Sequence, residues 1–401
     1  MTTTITRGLP TRSPARHWPG IIATALTATV AGMPAFTIGA LAPTIEADLH
    51  TSRSAVGLAM SLFYAATAFG SPVAKRVAAR LPVPTVLAVA ALVASAVMLV
   101  ASRVTGPGML TAILLVGGLS NALVQPVAGR LIAARVPEHR RSLAAGMIGA
   151  ALGAGTLVPG LLVALVLPAY GWRTALLVAG IAALVPAALA PLARAPGGPS
   201  PVRPKEADET GDKQRTVGRV LGLWALAAAL SATGNNAVAT YFVELGTHSG
   251  LGTTVTGNLL SLSALFAIAI RITAGALTDR APRRNSAVIV TMMLTGGLGL
   301  ALIAIGTSTT FVLGAILAFS AGWGWTGLLL ATTLRLVPGR TEDAGHTVQI
   351  GVYAGATIAP FAFGALSSAF GFLATALVAA VAAAAAAAAM TAGAQLLRRA
   401  G

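Results

Sequence analysis

The segment RITAGALTDRAPRRN, residues 271–285, joins a long apolar run to a dense cluster of charge. Arg271 lies inside the apolar run, and Asp279 follows eight residues later, beside three arginines. An arginine in so apolar a setting is costly unless its side chain faces protein or water. The segment therefore predicts a membrane-spanning helix that carries one buried cation and ends at a charged loop.

Apolar runs of this kind recur along the whole chain. Only 9% of its 401 residues are charged and 56% are hydrophobic, whereas a soluble chain carries about a quarter charged residues. Runs of about 20 apolar residues cross a bilayer as helices, and these lack the alternation of a membrane β-strand. We therefore predict an all-α integral membrane protein with twelve transmembrane helices, at approximately 20–45, 55–74, 82–102, 107–129, 142–167, 172–193, 217–241, 256–278, 286–306, 309–334, 344–368 and 370–395.

The positive charge is distributed as membrane topology requires. With a cytoplasmic N-terminus, the inner segments hold 23 of the 27 lysines and arginines, and the outer loops hold only Arg53, Arg103 and Arg173. This is the positive-inside bias. It predicts a multi-pass protein of the plasma membrane with both termini in the cytoplasm. Because topology accounts for the net charge of +16, we expect no nucleic acid partner.

The two sides of a polar segment resemble each other. Residues 195–216 combine proline, glycine and charge, as a disordered linker does. Residues 169–180, AYGWRTALLVAG, match residues 369–380, AFGFLATALVAA, at an offset of 200. We therefore predict two parallel six-helix halves, 1–194 and 217–401, joined by a cytoplasmic linker at 195–216.

Several motifs resemble those of the major facilitator superfamily. GALTDRAPRR, residues 275–284, resembles the signature loop between helices two and three of each half. YGWRTALL, residues 170–177, resembles the start of helix six, and GAGTLVPG, residues 153–160, resembles the Gly/Pro motif of antiporter members in helix five. The resemblance covers nearly the entire chain. It implies a secondary transporter that works by alternating access around a midplane site.

The same resemblance implies a latch on the cytoplasmic side. In this family the signature loop holds that side closed, which assigns the latch to Gly275, Asp279, Arg280 and Arg283. A purely topological role accounts for the arginines, but it does not explain a lone acid, because acids contribute little to topology. The first half has Lys75 and Ala79 at the Gly and Asp positions of the signature, so we expect the aspartate-dependent latch in the second half alone.

Arg271 is the leading candidate for substrate contact. It lies about 12 Å along the helix from Asp279, which is long for a side chain that snorkels to the interface, the alternative role. Its planar fork matches a carboxylate, and an arginine at similar depth in helix eight serves monocarboxylate and oxalate carriers of the family. Helix eleven lacks the lysine that dicarboxylate carriers add, so the resemblance implies a monoanion. Residues 322–329 and 348–360 also resemble cyanate- and nitroimidazole-type carriers.

Further polar and aromatic side chains are candidates to line the path. Amides are costly against lipid, so they face the protein interior and bind either the substrate or a neighbouring helix. The complete set of candidates besides Arg271 is Asn121, Gln125, Asn235, Asn236, Trp323, Trp325, Gln349 and Tyr353. No carboxylate lies at mid-membrane depth, so coupling to an ion would use Glu46 or Glu244 at the rim, a proton carried with the substrate, or no ion.

The sequence thus predicts a monomeric secondary transporter for a small organic solute, with a monoanion as the substrate class. Its partners are that solute, the lipid bilayer and a co-transported or exchanged ion. No P-loop, nucleophile–base pair or metal cluster stands out and cysteine is absent, so we expect no enzyme activity, cofactor or metal. Two alternatives stay open: proton-coupled efflux of a neutral or cationic drug-like compound, and a membrane sensor that does not transport.

Overall fold

The computed structural model describes residues 18–137, 140–194, 211–278, 285–336 and 341–400. Throughout these ranges the chain is helical, and they contain no β-strand. The α-helices, in chain order, are α1 (Trp18–Ala40), α2 (Ala42–Asp48), α3 (Arg53–Arg80), α4 (Val83–Ala101), α5 (Pro107–Asn121), α6 (Val124–Arg135), α7 (Arg141–Leu161), α8 (Leu167–Ala182), α9 (Leu184–Leu189), α10 (Gly211–Thr240), α11 (Phe242–His248), α12 (Thr253–Thr278), α13 (Asn285–Ile303), α14 (Ser308–Leu336), α15 (Thr341–Phe370) and α16 (Phe372–Ala400).

The helices make twelve passes. Eleven helical segments are long and apolar enough to cross a membrane, but one of them, Leu143–Ala193, has 51 residues. At 1.5 Å per residue this is far too long for one pass. Gly171 divides it, with φ 76° and ψ 171°, a backbone conformation that glycine adopts at little cost. The predicted all-α fold with twelve transmembrane helices is confirmed.

The predicted internal repeat is visible in the positions where helices begin and end. The short helices α2 and α11 begin at Ala42 and Phe242, and the long helices α3 and α12 begin at Arg53 and Thr253. Gly371, which separates α15 from α16 with φ 83°, is the counterpart of Gly171. Because the same breaks recur at an offset of 200, the two parts of the chain repeat one fold in the same orientation.

One end of the bundle is recognised by the contacts that α2 makes there, and we call it the α2 end. Arg173 follows the break at Gly171 between the fifth and sixth passes, and its guanidinium lies 2.5 Å from the Asp48 carboxylate. The Arg53 guanidinium lies over the ring of Phe372, 4.4 Å from its centroid. The starts of α3 and α16 and the end of α2 therefore meet at the α2 end.

The two parts of the chain also pack against each other. Helix α7 runs along α12, and α3 runs along α15. Gly160 of α7 makes the first contact so close that a Cβ there would lie 2.6 Å from the Gly257 carbonyl oxygen. Between these parts, residues 195–210 of the predicted linker lie outside the described residues. Helix α10 already begins at Gly211, inside the segment predicted as linker.

Candidate functional site

Arg271 on α12 is buried and hydrogen-bonded on three sides. Its Nε and Nη2 donate to the Trp323 carbonyl of α14 at 3.0 and 2.8 Å, and its Nη1 donates to the Gly149 carbonyl of α7 at 3.1 Å. Only 3% of the residue is exposed. The guanidinium is therefore enclosed by protein and connects the second part of the chain to α7 in the first.

The charge of Arg271 is not neutralised by these partners. Carbonyl oxygens satisfy its N–H donors but carry no net negative charge. Within the described ranges no carboxylate lies within salt-bridge distance of it; the ion pairs found there are Arg53–Glu244 and Arg173–Asp48 at the α2 end. A buried charge without an opposite charge is unfavourable. Arg271 is therefore a buried cation whose partners among the described residues are neutral.

One aromatic ring lies beside the guanidinium, and two further rings pack against that ring. The Trp323 ring centroid lies 5.4 Å from the Arg271 guanidinium carbon. Phe36 of α1 meets the Trp323 ring edge to face at 5.7 Å, and Phe319 meets it at 5.5 Å. Sequence reasoning missed both phenylalanines. Phe319 could have been found from its position one turn before Trp323, whereas Phe36 has no sequence signal beyond lying in helix one.

Trp323 and Trp325 do not share a surface. Two residues along an α-helix correspond to a rotation of about 200°. Trp325 accordingly packs in a separate core cluster with Trp224 and Met293, and it is fully buried. The structure brings Trp323 to Arg271 and places the ring of Trp325 within the packing of α10, α13 and α14.

The predicted amides of α10 make hydrogen bonds to helix backbone. Asn235 donates from Nδ2 to the Gly322 carbonyl at 2.7 Å, which ties α10 to α14 next to Trp323. Asn236 donates to the Ala232 carbonyl of its own helix at 2.8 Å. For Asn235 the structure thus shows the helix-to-helix bond that was the alternative to substrate contact, and its role in binding stays a prediction.

The remaining candidates lie on two other passes. Asn121, at the end of α5, donates to Thr67 Oγ1 of α3 at 3.3 Å, and Gln125 is half-buried on α6. Gln349 and Tyr353 lie one turn apart on α15. No contact joins these four residues to Arg271 in the described part of the chain, so the structure does not bring them into its cluster.

Of the four residues predicted to form the latch, Gly275 lies within the described residues. Gly275 is buried on α12, and its Cα lies 3.6 Å from where a Cβ at Gly146 of α7 would stand. Asp279, Arg280 and Arg283 lie outside the described residues. The latch therefore stays a prediction from the sequence.

A second charged cluster lies at the α2 end. Arg53 of α3 donates to a Glu244 carboxylate oxygen of α11. The Tyr241 hydroxyl donates to the Pro360 carbonyl at 2.9 Å. Burial raises the pKa of the Glu46 carboxyl from 4.5 to about 7; the charge of Glu244 adds to this shift and that of Arg53 opposes it.

Residues 24–348 match the Major Facilitator Superfamily. The chain belongs to the major facilitator superfamily. It is therefore a multi-pass membrane protein of a transporter family, whose partners are a small-molecule substrate and membrane lipid, and the predicted resemblance is confirmed.

The relatives found for this chain resemble it more closely in fold than in sequence. A protein named "Gallate transporter" from Pseudomonas putida is 29% identical over 178 residues, which span 44% of this chain and 39% of that protein. A bacterial homolog of the human lysosomal transporter Spinster, in an inward-facing and unoccupied conformation, superposes with a TM-score of 0.73 at 16% identity, covering 97% of this chain and 99% of that one. Its inward-facing, occupied form gives 0.70 at 15% identity, covering 96% and 98%. At such identities these structures establish the shared fold.

Proposed function

We propose that this superfamily member is a secondary transporter of the plasma membrane that moves a small organic monoanion by alternating access. Arg271 binds the negative group of the substrate, both termini are cytoplasmic, and the α2 end faces outward. One observation carries the proposal: the buried guanidinium of Arg271 lies between the two parts of the chain with neutral carbonyls as its partners.

A substrate carboxylate would compete with these carbonyls for the same donors. A guanidinium and a carboxylate form two parallel charge-assisted hydrogen bonds, which are stronger than bonds to a neutral acceptor. The bond from Nη1 to the Gly149 carbonyl crosses from α12 to α7. A carboxylate that takes this donor removes a tie between the two parts of the chain. Binding thereby favours their relative movement, as alternating access requires.

The ring beside Arg271 favours a planar substrate. Trp323 lies next to the guanidinium and is backed by Phe36 and Phe319, so an aromatic acid bound to Arg271 would meet an aromatic ring. The relative named as a gallate transporter supports the same class, because gallate carries one carboxylate on an aromatic ring. We therefore propose aromatic monocarboxylates as the first substrates to test.

The test is flux into vesicles that contain the purified protein. The panel holds benzoate and hydroxybenzoates including gallate, aliphatic monocarboxylates, and neutral and cationic drug-like compounds. We expect flux of an aromatic monocarboxylate, its loss in Arg271→Ala, and its retention in Arg103→Ala, which changes an exposed arginine. Flux of neutral or cationic compounds alone, unchanged in Arg271→Ala, would establish the efflux alternative. Binding of an acid without flux would establish the sensor.

A further inference from the structure

The Arg53–Glu244 ion pair joins the two parts of the chain at the α2 end. Arg53 begins α3, and Glu244 lies on α11, 191 residues away. The Tyr241 hydroxyl lies near this pair. It is within hydrogen-bond distance of the Pro360 carbonyl at 2.9 Å and of the Arg53 carbonyl at 3.3 Å. Separation of the two parts at this end must break the ion pair, so any change in its charges alters how readily the end opens.

A third charged group, Glu46 of α2, belongs to the same cluster. Its Oε1 is buried and has no hydrogen-bond partner, and the same holds for Oε2 of Glu244. Arg53 is bonded to Glu244, and among the described residues no ion pair joins it to Glu46. Ionised Glu46 would therefore be a negative charge with one buried oxygen and no paired cation, and such a charge is costly.

The elements packed around Glu46 supply few other charges. Helix α1 contains no titratable residue, α3 supplies Arg53, and α11 supplies Glu244 together with His248, which is exposed and lies beside the Phe372 ring. On its own side of the chain, Asp48 is paired with Arg173 and His50 is exposed. Glu46 is therefore the acid in this cluster that has no paired cation.

We propose that Glu46 is a proton-binding site that controls the α2 end: protonated Glu46 favours contact between the two parts of the chain, and ionised Glu46 favours their separation. The ionised form repels Glu244 and competes with it for Arg53, so it weakens the ion pair that closes this end. When the end opens, water reaches the carboxylate and stabilises its charge.

The direction of the pH effect follows from the two states. With the α2 end closed, burial and Glu244 raise the pKa of Glu46 to about 7, and hydration on opening returns it toward the ordinary value of 4.5. Protonation of Glu46 therefore gives its full stabilisation of the closed arrangement at a pH below 4.5. This stabilisation is lost as the pH rises through about 7. The effect concerns the protein without substrate, so it does not depend on the assignment of Arg271.

The test uses a single engineered thiol, because the chain has no native cysteine. Ser61 of α3 is buried, and its Oγ accepts a hydrogen bond from the Phe361 amide of α15 at 3.0 Å. Ser61→Cys thus reports on separation of the two parts of the chain. The rate at which a maleimide modifies this thiol is measured in detergent, without substrate. Three proteins are compared: Ser61→Cys in the otherwise unchanged background, Ser61→Cys with Glu46→Gln, and Ser61→Cys with Asp48→Asn, the matched control on the same helix.

We expect Glu46→Gln to label more slowly than the unchanged background, by roughly tenfold or more near pH 8 and by almost no factor near pH 4, below the lower of the two pKa values. The titration of the thiol itself cancels in this ratio. Asp48→Asn should label like the unchanged background, since the Asp48 carboxylate is exposed and paired. A ratio that does not vary with pH would overturn the proposal, as would an equal effect of Asp48→Asn. If Glu46→Gln does not fold, the labelling rate of Ser61→Cys is compared with that of an exposed thiol, Arg103→Cys. A ratio of these two rates that does not vary with pH would again overturn the proposal.

Discussion

Arg271 shows how a membrane helix can hold a charged side chain in a protein interior. An arginine at the centre of a membrane helix costs about 2.5–3.5 kcal/mol on insertion. Here its donors are satisfied by the carbonyls of Gly149 and Trp323, which limits this cost without cancelling the charge. The residue can therefore be held stably in the empty protein and still attract an anion.

This arrangement predicts different effects for two substitutions of Arg271. Arg271→Ala removes a charge-assisted interaction of about 1.5–3 kcal/mol, so the Kd for the transported anion should rise by about tenfold to a hundredfold. Arg271→Lys should recover only part of the affinity, because an ammonium keeps the charge but lacks the planar fork. Calorimetric titration of the purified variants measures both. An unchanged Kd in Arg271→Ala would make the arginine structural and favour the neutral-drug alternative.

At the scale of elements, the contact between α7 and α12 depends on small residues. A Cβ at Gly160 would lie 2.6 Å from the Gly257 carbonyl oxygen and 2.7 Å from the Ser261 amide nitrogen. Both atoms belong to backbone, which cannot move aside as a side chain can. Pro159 precedes this contact, and a π-helical turn at Leu162–Val166 follows it, so α7 combines close packing with an irregular backbone.

We therefore predict that Gly160→Ala destabilises the protein. Overpacking of this kind costs about 1–3 kcal/mol, and the unfolding midpoint in detergent should fall by about 5 °C. Gly222→Ala on α10 is the control, because a Cβ at Gly222 meets nothing within 4 Å. Thermal unfolding followed by tryptophan fluorescence compares the two. Equal midpoints for both variants would contradict the assigned contact.

The loop after α12 gives a second prediction at this scale. If Asp279 is the latch acid, Asp279→Asn should favour opening of the end opposite the α2 end and slow turnover, with little change in expression. Uptake by vesicles measures the turnover, and Asp48→Asn, which changes an exposed carboxylate at the α2 end, is the control. Transport by Asp279→Asn at the unchanged rate would leave the loop with a purely topological role.

At the scale of the whole molecule, the distribution of charge supports the proposed orientation of the bundle. With the α2 end outside, three of the 27 lysines and arginines lie on outer loops, namely Arg53, Arg103 and Arg173. Two of these form ion pairs at the α2 end: Arg53 pairs with Glu244 across the two parts of the chain, and Arg173 pairs with Asp48 within the first part. In the proposed orientation two of the three outer cations thus have ionic partners, and the larger number at the other end agrees with the positive-inside rule.

This orientation is testable in intact cells. A membrane-impermeant maleimide should modify Arg103→Cys, at the exposed turn between α4 and α5, and should not modify Arg399→Cys near the C-terminus. Permeabilised cells, in which both thiols react, provide the control. The opposite pattern would place the termini outside and overturn the proposed topology.

What the sequence determined by itself is the architecture. The lengths of the apolar runs set twelve passes, because the thickness of the bilayer dictates them. The match of residues 169–180 with 369–380 at an offset of 200 predicted the repeat, and the structure places a glycine with positive φ at the same point of each segment, Gly171 and Gly371. The family followed from the loop at residues 275–284, and its match over residues 24–348 confirmed it.

What only the tertiary structure decided is which helix covers each buried side chain. The partner of Arg271 at Gly149 lies 122 residues away, and that of Arg53 at Glu244 lies 191 residues away. Helical periodicity tells which residues share a face, but in a membrane protein the lipid-facing and protein-facing sides are both apolar, so hydrophobicity does not say which face meets which helix. For this reason Trp323 and Trp325 were indistinguishable in the sequence, and only the packing brought Trp323 to Arg271 and Phe36.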